Sequence, residues 1–502
     1  MKHGLILSVH QFPFLSRPLG VHRIAHYLRE QNWDIEVIDW ANHWPLEKLQ
    51  ELFRSRYTTD TVFVGFGQLF SMWPQIMEDF GQWIKTNYPT VTLISGSGVN
   101  PAFTSRCIDY YIQGYGEYAM VELLAYISGN GPRPVFNLNI PGGRKVISAI
   151  HNYPAFPMRD LTVRYEDRDF IESTDWLTME FSRGCMFECD FCNMPALGVK
   201  DDHTRAVDNF KEQMRDTYDR FGVKNYVVAD ETFNDSTEKI IKYANAVEEL
   251  EFTPWFSGYI RADLLTTRPA DKEHLLRMNF LGQYYGIESF NYKSAKIVGK
   301  GLKTERLQQG LIAARQYFET HNRELYRGTC SFIVGLPHET RETLENTFSW
   351  LTDNWQGQCF NIHKLSIAAN DNINLQSGIS SNMGKYGYSP MTNKEIAFHE
   401  AHRLPTDLQP FGTFDPEFPS KCTITEVLWK NEHMNWYTAQ EILNGIFARK
   451  KKLDFRPSCY GLSYKLTDTV AVEDKLKLGF EDFDAQRNWS IDNYINKKLN
   501  YK

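Results

Sequence analysis

Three closely spaced cysteines carry the clearest chemistry in the sequence. Cys185, Cys189 and Cys192 form the pattern Cys-x3-Cys-x2-Cys, whereas the other five of the eight cysteines are scattered along the chain. One loop with this spacing can bring three thiolates to a soft metal centre, and iron–sulfur clusters are held by cysteine thiolates, normally four. Three ligands would leave one iron open to bind a small molecule.

Two other interpretations of these cysteines stay open at this point. A structural zinc site needs a fourth Cys or His at a matching spacing, and His203, the nearest candidate, gives none of the common zinc spacings. The three cysteines could also be unrelated core residues. An iron–sulfur site is therefore the favoured hypothesis.

The residues around the cysteines extend the pattern. Ser-Arg-Gly-Cys-x3-Cys-x-Phe-Cys, with Phe191 before the last cysteine, resembles the signature of the radical S-adenosylmethionine (SAM) enzymes. In that family the cysteines bind a 4Fe–4S cluster whose open iron chelates SAM. Reduction of the cluster cleaves SAM to a 5′-deoxyadenosyl radical, which abstracts a hydrogen atom. The resemblance implies an electron donor, such as flavodoxin or ferredoxin, and places Phe191 near the adenine.

Four later segments resemble the strand ends of the same family, in the same order. They are Asp230-Glu231-Thr-Phe-Asn, Tyr259-Ile-Arg261-Ala-Asp, Gly286-Ile-Glu288-Ser289 and Gly335-Leu-Pro-His338-Glu-Thr, the last with a histidine where the family has glycine. Each alone could be a turn, a surface ion pair or a helix cap. The resemblance implies a SAM pocket built from Phe191, Glu231, Arg261, Glu288, Ser289 and Gly335.

Alternating strands and helices are predicted to position these residues. Hydrophobic patterns over residues 173–372 predict six strands, at 177–181, 225–229, 255–260, 282–287, 329–335 and 361–367, with helices between them. Such β/α units indicate a parallel barrel whose functional groups lie on the loops after the strands. We therefore expect a partial (β/α)6 barrel.

The first 130 residues show a second alternating series, which predicts a doubly wound, Rossmann-like parallel sheet. Ligands of such sheets bind beyond the carboxyl ends of the strands. This region resembles the cobalamin-binding domain that precedes many radical SAM barrels, although no Asp-x-His-x2-Gly motif is present to supply a histidine ligand. The resemblance implies that cobalamin contacts Ser71, Gly96, Gly98, Gly114, Gly116 and Glu117. A sheet that kept the fold and lost the cofactor is the alternative.

The remaining segments connect or follow these two regions. Residues 131–172 are rich in Gly, Pro and charge and are predicted to form a connector, and residues 373–502 are predicted to form a mainly helical C-terminal domain. His22 and His26, on the first predicted helix, are expected to lie on its solvated face. The two α/β regions together make up about two thirds of the chain. At roughly 100–200 residues per domain, the 502 residues suggest about three domains.

Composition narrows the class of protein. The 502 residues include 55 Lys and Arg against 62 Asp and Glu, a net charge of −7 that argues against a broadly basic nucleic-acid surface. No apolar run approaches the ~18 residues of a membrane span, and the amino terminus does not have the pattern of a signal peptide. We expect a cytoplasmic protein with reduced cysteines.

These observations predict a radical SAM enzyme, with a small-molecule or peptide substrate, that methylates an unactivated carbon through methylcobalamin. Two alternatives stay open. One is a radical rearrangement, cyclisation or oxidation without methyl transfer, and the other is a non-catalytic iron–sulfur redox or binding protein.

Overall fold

The computed structural model describes residues 1–10, 16–69, 75–97, 107–140, 144–158, 161–197, 203–368, 376–402, 427–456 and 483–501. Two of the predicted cobalamin contacts, Ser71 and Gly98, lie outside the described residues. None of the helices within these ranges is both long and apolar enough to cross a membrane.

The described elements follow the predicted alternation of strand and helix. In chain order the strands are β1 (His3–His10), β2 (Ser16–Arg17), β3 (Asp34–Ile38), β4 (Thr61–Leu69), β5 (Thr92–Ser97), β6 (Tyr110–Gln113), β7 (Leu138–Ile140), β8 (Arg144–Ser148), β9 (Trp176–Met179), β10 (Ser182–Arg183), β11 (His203–Thr204), β12 (Asn225–Val228), β13 (Trp255–Arg261), β14 (Phe280–Glu288), β15 (Arg327–Val334), β16 (Cys359–Lys364), β17 (Ser389–Pro390) and β18 (Trp429–Lys430). The α-helices are α1 (Leu19–Glu30), α2 (Leu46–Arg56), α3 (Gln75–Asn87), α4 (Glu117–Ile127), α5 (Ala149–Asn152), α6 (Val207–Phe221), α7 (Thr237–Glu248), α8 (Ala262–Thr267), α9 (Asp271–Arg277), α10 (Tyr292–Ile297), α11 (Thr304–Asn322), α12 (Arg341–Asn354), α13 (Gly378–Ser381), α14 (Asn393–Ala401), α15 (Trp436–Lys450) and α16 (Phe483–Asn500).

The first sheet has seven strands in the order β3-β1-β4-β5-β6-β8-β7. It is parallel except at β7, which runs antiparallel to β8. Strands β7 and β8 come from the segment predicted as a connector, so this sheet extends beyond residue 130. Val146 and Ile147 explain the difference, because both are fully buried and give β8 an apolar side chain on each face of the sheet.

The second sheet has the order β16-β15-β14-β13-β12-β9-β2 and is parallel throughout. The six strands of this sheet other than β2 are the six that the sequence predicts. Their side chains are almost all buried, as expected for a parallel sheet covered by helices. Within the described residues β16 and β2 lie at the two ends of the order, so the barrel is partial, as predicted.

Strand β2 joins the two sheets. Ser16 pairs with Trp176 and Arg17 with Leu177, so a segment that follows β1 of the first sheet becomes the edge of the second. The Arg17 guanidinium is buried and lies 2.9 Å from Asp39 and 2.8 Å from Asp175, which ties the first sheet to the chain just before β9.

Helix α1 lies inside this junction. The His22 imidazole is 3.0 Å from the Asp39 carboxylate, and His22 and His26 are 1% and 7% exposed. The prediction that both histidines lie on a solvated face was therefore wrong. The cause is that α1 is covered by chain on more than one side, since Arg23 of the same helix donates a hydrogen bond to the Thr162 carbonyl.

The C-terminal region is helical, as predicted, but its last helix packs on the first sheet. Ile491, Tyr494 and Ile495 belong to the same buried apolar cluster as the side chains of β1 and β4. The Lys498 ammonium is fully buried and lies 3.2 Å from the Glu36 carboxylate on β3. Helix α16 therefore completes the core of the amino-terminal region.

Candidate active site

The cysteine loop begins where β9 leaves the second sheet. Strand β10 pairs antiparallel with β11, Ser182 opposite Thr204 and Arg183 opposite His203, and the loop between them carries all three cysteines. Asp230, just after β12, holds the beginning of this loop. Its carboxylate accepts hydrogen bonds from the Phe181 N–H at 2.7 Å, the Ser182 N–H at 3.1 Å and the Ser182 hydroxyl at 2.7 Å.

The three thiols each have a polar neighbour from a different place. Cys185 Sγ lies 3.6 Å from the Thr232 hydroxyl, Cys189 Sγ accepts a hydrogen bond from Arg261 Nη1 at 3.4 Å, and Cys192 Sγ accepts one from the Met194 N–H at 3.4 Å. All three cysteines are free and half-buried. The loop thus lies against the ends of the second and third barrel strands.

Burial raises the pKa of two of these thiols. It raises the pKa of Cys192 to about 12 and also raises the pKa of Cys189. Among the described residues, no three His, Cys, Asp or Glu side chains are close enough together to hold one metal ion.

Arg261, at the end of β13, is held beside the cysteine loop. Its guanidinium donates to both carboxylate oxygens of Asp263, at 3.1 and 2.7 Å, and to the Gly299 carbonyl at 3.3 Å. The Phe187 ring lies 3.9 Å from the guanidinium carbon. These contacts leave the arginine charge next to Cys189, close to the position that the resemblance implies for a SAM carboxylate.

Glu288 and Lys300 form a buried ion pair near the same cysteine. Their side chains are 3.4 Å apart, and the Lys300 ammonium also donates to the Gly286 carbonyl at 3.0 Å. Burial raises the pKa of Glu288, and its backbone φ of +68° lies in the left-handed region, which non-glycine residues rarely adopt. A strained, buried carboxyl group at a strand end is a common feature of functional sites.

Ser289 and Gly335 meet at a residue that the sequence analysis did not single out. The Glu339 carboxylate accepts hydrogen bonds from the Ser289 hydroxyl at 2.7 Å and the Gly335 N–H at 3.2 Å. Burial raises the pKa of Glu339 to about 8. Gly335 has φ +101°, and a Cβ there would lie 2.4 Å from the Trp429 ring. The sequence signal was its position two residues after the proline of the fifth strand-end motif.

Glu231 connects the barrel to the first sheet. One of its carboxylate oxygens accepts a hydrogen bond from the Tyr115 hydroxyl at 3.3 Å, and the other is buried with no hydrogen-bond partner among the described residues. Burial raises the pKa of Glu231 to about 7. Tyr115 belongs to the turn before α4, so the two predicted cofactor regions touch at this pair.

Glu117, predicted to contact cobalamin, lies in a buried ion pair instead of at an open sheet edge. Its carboxylate is 2.7 Å from Arg183 and 3.6 Å from Arg23. Arg183 also donates to Glu180 at 2.8 Å, and its guanidinium carbon lies 4.2 Å from the centre of the Tyr115 ring. Residues at the start of α4 thus contact β10, the strand that leads into Cys185.

The other predicted residues occupy different surroundings. Gly114 has φ +93°, and a Cβ there would lie 2.8 Å from Ile150, whereas a Cβ on Gly116 would make only ordinary contacts. A Cβ on Gly96 would meet no atom of the described residues within 4 Å. Phe191 is half-buried and packs on the core of the barrel. Helix α13 covers the loop here, because the Ile379 N–H donates to the Asp190 carbonyl at 2.8 Å.

Known proteins resemble this chain in sequence. Residues 179–351 match the model of the radical SAM superfamily. The chain is 22% identical to an uncharacterised methyltransferase of Pyrococcus horikoshii over 345 residues, which cover 66% of this chain and 72% of that protein. It is 23% identical to the hopanoid C-3 methylase of Methylococcus capsulatus over 222 residues, 39% of this chain and 40% of that protein.

Solved structures resemble it in fold. The radical SAM methyltransferase TsrM from Kitasatospora setae, solved with cobalamin and a [4Fe-4S] cluster bound, gives a TM-score of 0.64 at 13% identity over 99% of each chain. The cobalamin-dependent radical SAM enzyme OxsB, solved with aqua-cobalamin and SAM bound, gives 0.58 at 14% identity over 100% of this chain and 84% of that one. The sheet, the partial barrel and the C-terminal region thus share one architecture with both.

Proposed function

This chain is a radical SAM enzyme, and we propose that it methylates an unactivated carbon of a small-molecule or peptide substrate with the help of cobalamin. The observation that carries the proposal is the contact between the two cofactor regions. The Tyr115 hydroxyl at the edge of the first sheet donates to Glu231 at the end of the second barrel strand. Such a junction brings a ligand of the first sheet to the mouth of the barrel, where parallel barrels carry their active groups.

The residues present fit a 4Fe–4S cluster. We assign its three protein ligands to Cys185, Cys189 and Cys192, whose thiols project from one loop and are free. Each thiol accepts or approaches a weak polar donor, and none is paired in a disulfide. Hydrogen bonds to the sulfurs are one of the means by which a protein tunes the potential of such a cluster.

The strand ends fit SAM as the second ligand. We assign the binding of its charged amino-acid part to Arg261, Glu288 and Ser289, and that of its remaining part to Phe191, Glu231 and Gly335. Arg261 and Glu288 supply opposite charges near Cys189, and burial strengthens their effect on a bound zwitterion. When bound, the cluster and SAM supply one-electron chemistry and cobalamin supplies methyl transfer, so the protein's task is to position the reactants and exclude water.

The edge of the first sheet fits cobalamin in part. Among the described residues, no atom lies within 4 Å of a Cβ placed on Gly96, and we propose that Gly96 contacts the cofactor together with Ser71 and Gly98. Glu117 is enclosed by Arg183 and Arg23. We therefore propose that Gly114 and Gly116 contact cobalamin, as the resemblance implies, and that Glu117, the third residue predicted there, also positions the α4 turn.

The proposal is tested by cofactor content and by the products of SAM. Expressed with hydroxocobalamin and reconstituted anaerobically, the protein should bind a corrinoid with its visible absorbance. With a flavodoxin or ferredoxin as donor it should convert SAM to both S-adenosylhomocysteine and 5′-deoxyadenosine. Protein that makes 5′-deoxyadenosine without binding a corrinoid would instead support rearrangement, cyclisation or oxidation. Protein that cleaves no SAM would support the non-catalytic alternative.

A further inference from the structure

One histidine is more exposed to solvent than every other residue of the six barrel strands. His363, on β16, is exposed, whereas all other residues of β9, β12, β13, β14, β15 and β16 are buried or half-buried. Strand β16 is the last strand of its sheet, so exposure could mean only that the side chain points outward into solvent. The contacts of His363 decide between an outward and an inward direction.

The imidazole points to the inner face of the barrel. His363 Nε2 lies 3.3 Å from the Tyr284 hydroxyl, across the intervening strand β15. Tyr284 pairs in register with Tyr259, and their rings meet edge to face at 4.9 Å. Since alternate residues of a strand share a face, Tyr259 lies on the same face as Arg261, whose guanidinium contacts Cys189. His363 therefore faces the side that carries the cysteine loop.

The neighbours of His363 on its own strand confirm this direction. Phe360 and Ile362 are 0% and 3% exposed, and Phe360 packs against Phe348 of α12 on the outer, helix-covered face. The pairing partner of His363 on β15 is Ile333, which is half-buried. The exposed imidazole therefore lies on the face of the sheet opposite the one that α12 covers.

The His363 imidazole, with Tyr284 beside it, can bind a hydroxyl group of a ligand. A neutral imidazole offers one donor and one acceptor nitrogen. Nε2 is engaged by Tyr284, and Nδ1 has no hydrogen-bond partner among the described residues. A hydroxyl group can donate to or accept from Nδ1, so it suits either tautomer. The Tyr284 ring, which packs edge to face against the Tyr259 ring, offers apolar surface next to the imidazole.

We propose that His363 and Tyr284 form the polar end of the substrate site, which binds a hydroxyl group carried by an apolar ring. The inference rests on the proposed function in one respect, that the ligand bound there is the substrate. His363 contacts the substrate in this account, and Tyr284 fixes the orientation of the imidazole. Neither residue takes part in holding the cluster.

The test uses two probes that differ by one hydroxyl, 4-fluorophenol and fluorobenzene, observed by 19F NMR. Each is titrated into reconstituted protein with SAM and without reductant, so that no SAM is cleaved. Wild-type protein should bind 4-fluorophenol more tightly than fluorobenzene. His363→Ala should weaken 4-fluorophenol about threefold to tenfold, the effect of one lost hydrogen bond, and leave fluorobenzene unchanged. Tyr284→Phe should act in the same direction.

Matched variants keep the test decisive. His363→Gln retains a donor and an acceptor and should recover part of the preference for 4-fluorophenol. His321→Ala removes an exposed histidine of α11 and should change nothing. Equal binding of both probes by wild-type protein, or an equal loss of both probes in His363→Ala and His363→Gln, would overturn the inference.

Iron content is measured on the same protein preparations, and SAM cleavage is measured on separate portions of them after a reductant has been added. Wild-type protein without iron or cleavage, but with the probe preference, would refute the proposed function and leave the hydroxyl site standing. Normal iron and cleavage without the preference would refute the hydroxyl site alone.

Discussion

The cysteine loop and the turn from Gly114 to Glu117 face each other across the junction of the two sheets, and their functional groups are held in different ways. Each cysteine thiol has one weak polar neighbour, the closest contacts being 3.4–3.6 Å. The Glu117 carboxylate is enclosed by two arginines, the nearer at 2.7 Å, and is only 2% exposed.

The difference separates a binding site from a structural joint. A thiol with weak partners can exchange them for a metal at little cost, because few protein contacts are lost. A carboxylate buried among arginines cannot turn toward a ligand without leaving those charges unpaired, which is expensive in a protein interior. The ion pair of Glu117 therefore fixes the α4 turn against the strand that leads into Cys185, whereas weak local partners leave the cysteines available.

Of the substitutions that test this comparison, Arg183→Leu is expected to have the largest effect on stability. It would leave Glu117 and Glu180 buried without their common partner, and breaking a buried ion pair costs about 3–5 kcal/mol. We expect the free energy of unfolding in urea to fall by about that amount. Arg164→Leu is the matched control, since Arg164 and Glu212 form an exposed pair at 2.9 Å of a kind worth ~0–1 kcal/mol. Equal losses in the two variants would contradict the account of the joint.

A smaller, pH-dependent effect is expected from Glu231→Gln. Burial raises the pKa of Glu231 from 4.5 to about 7. Between these values the folded protein holds a proton that the unfolded chain has released, so stability decreases as pH rises. Glutamine has no such penalty and can still accept the bond from Tyr115. Relative to wild type, the variant should gain about 1–3 kcal/mol in free energy of unfolding between pH 5 and pH 8.

Urea unfolding of both proteins at the two pH values measures this gain. Glu212→Gln, which changes an exposed carboxylate, is the control and should show no such trend. A gain that is the same at both pH values would mean that Glu231 is ionised throughout, and the description of it as a buried, proton-holding group would fail.

The smallest effect is expected from Tyr115→Phe. The variant loses only the hydrogen bond from the Tyr115 hydroxyl to Glu231, which is worth about 0.5–1.5 kcal/mol. That bond also lowers the pKa of Glu231, so the fall in stability with pH should shift to higher pH in Tyr115→Phe. Measuring both variants and the double variant tests the contact, because the two effects should not add if the residues interact.

Much of this architecture could be predicted because its signals are local. The six barrel strands and the three cysteines are short patterns in which neighbouring residues carry the information. Strand β2 could not be predicted, since two residues, Ser16 and Arg17, show no periodicity and find their partners about 160 positions later. The burial of His22 also depends on a partner far along the chain, the Tyr165 ring, whose centre lies 4.8 Å from that of the imidazole.

In the candidate active site, too, some residues have local sequence signals and others do not. The strand-end motifs indicated Ser289 and Gly335, but the carboxyl group that joins them belongs to Glu339, whose role appears only when two strand ends come together. His363 was also missed, because its sequence neighbourhood resembles no motif and its exposure on the inner face follows from sheet register. Long-range pairing, not local pattern, sets both roles.

The central claim, that three cysteines of one loop hold an iron–sulfur cluster, is tested most directly by iron content after anaerobic reconstitution. Wild-type protein should hold about four irons per chain. Cys185→Ala, Cys189→Ala and Cys192→Ala should each lose most of that iron, while Cys330→Ala, which changes a fully buried cysteine of β15, should keep it. A protein that binds zinc in place of iron, or a cluster that survives each of the three loop substitutions, would contradict the account.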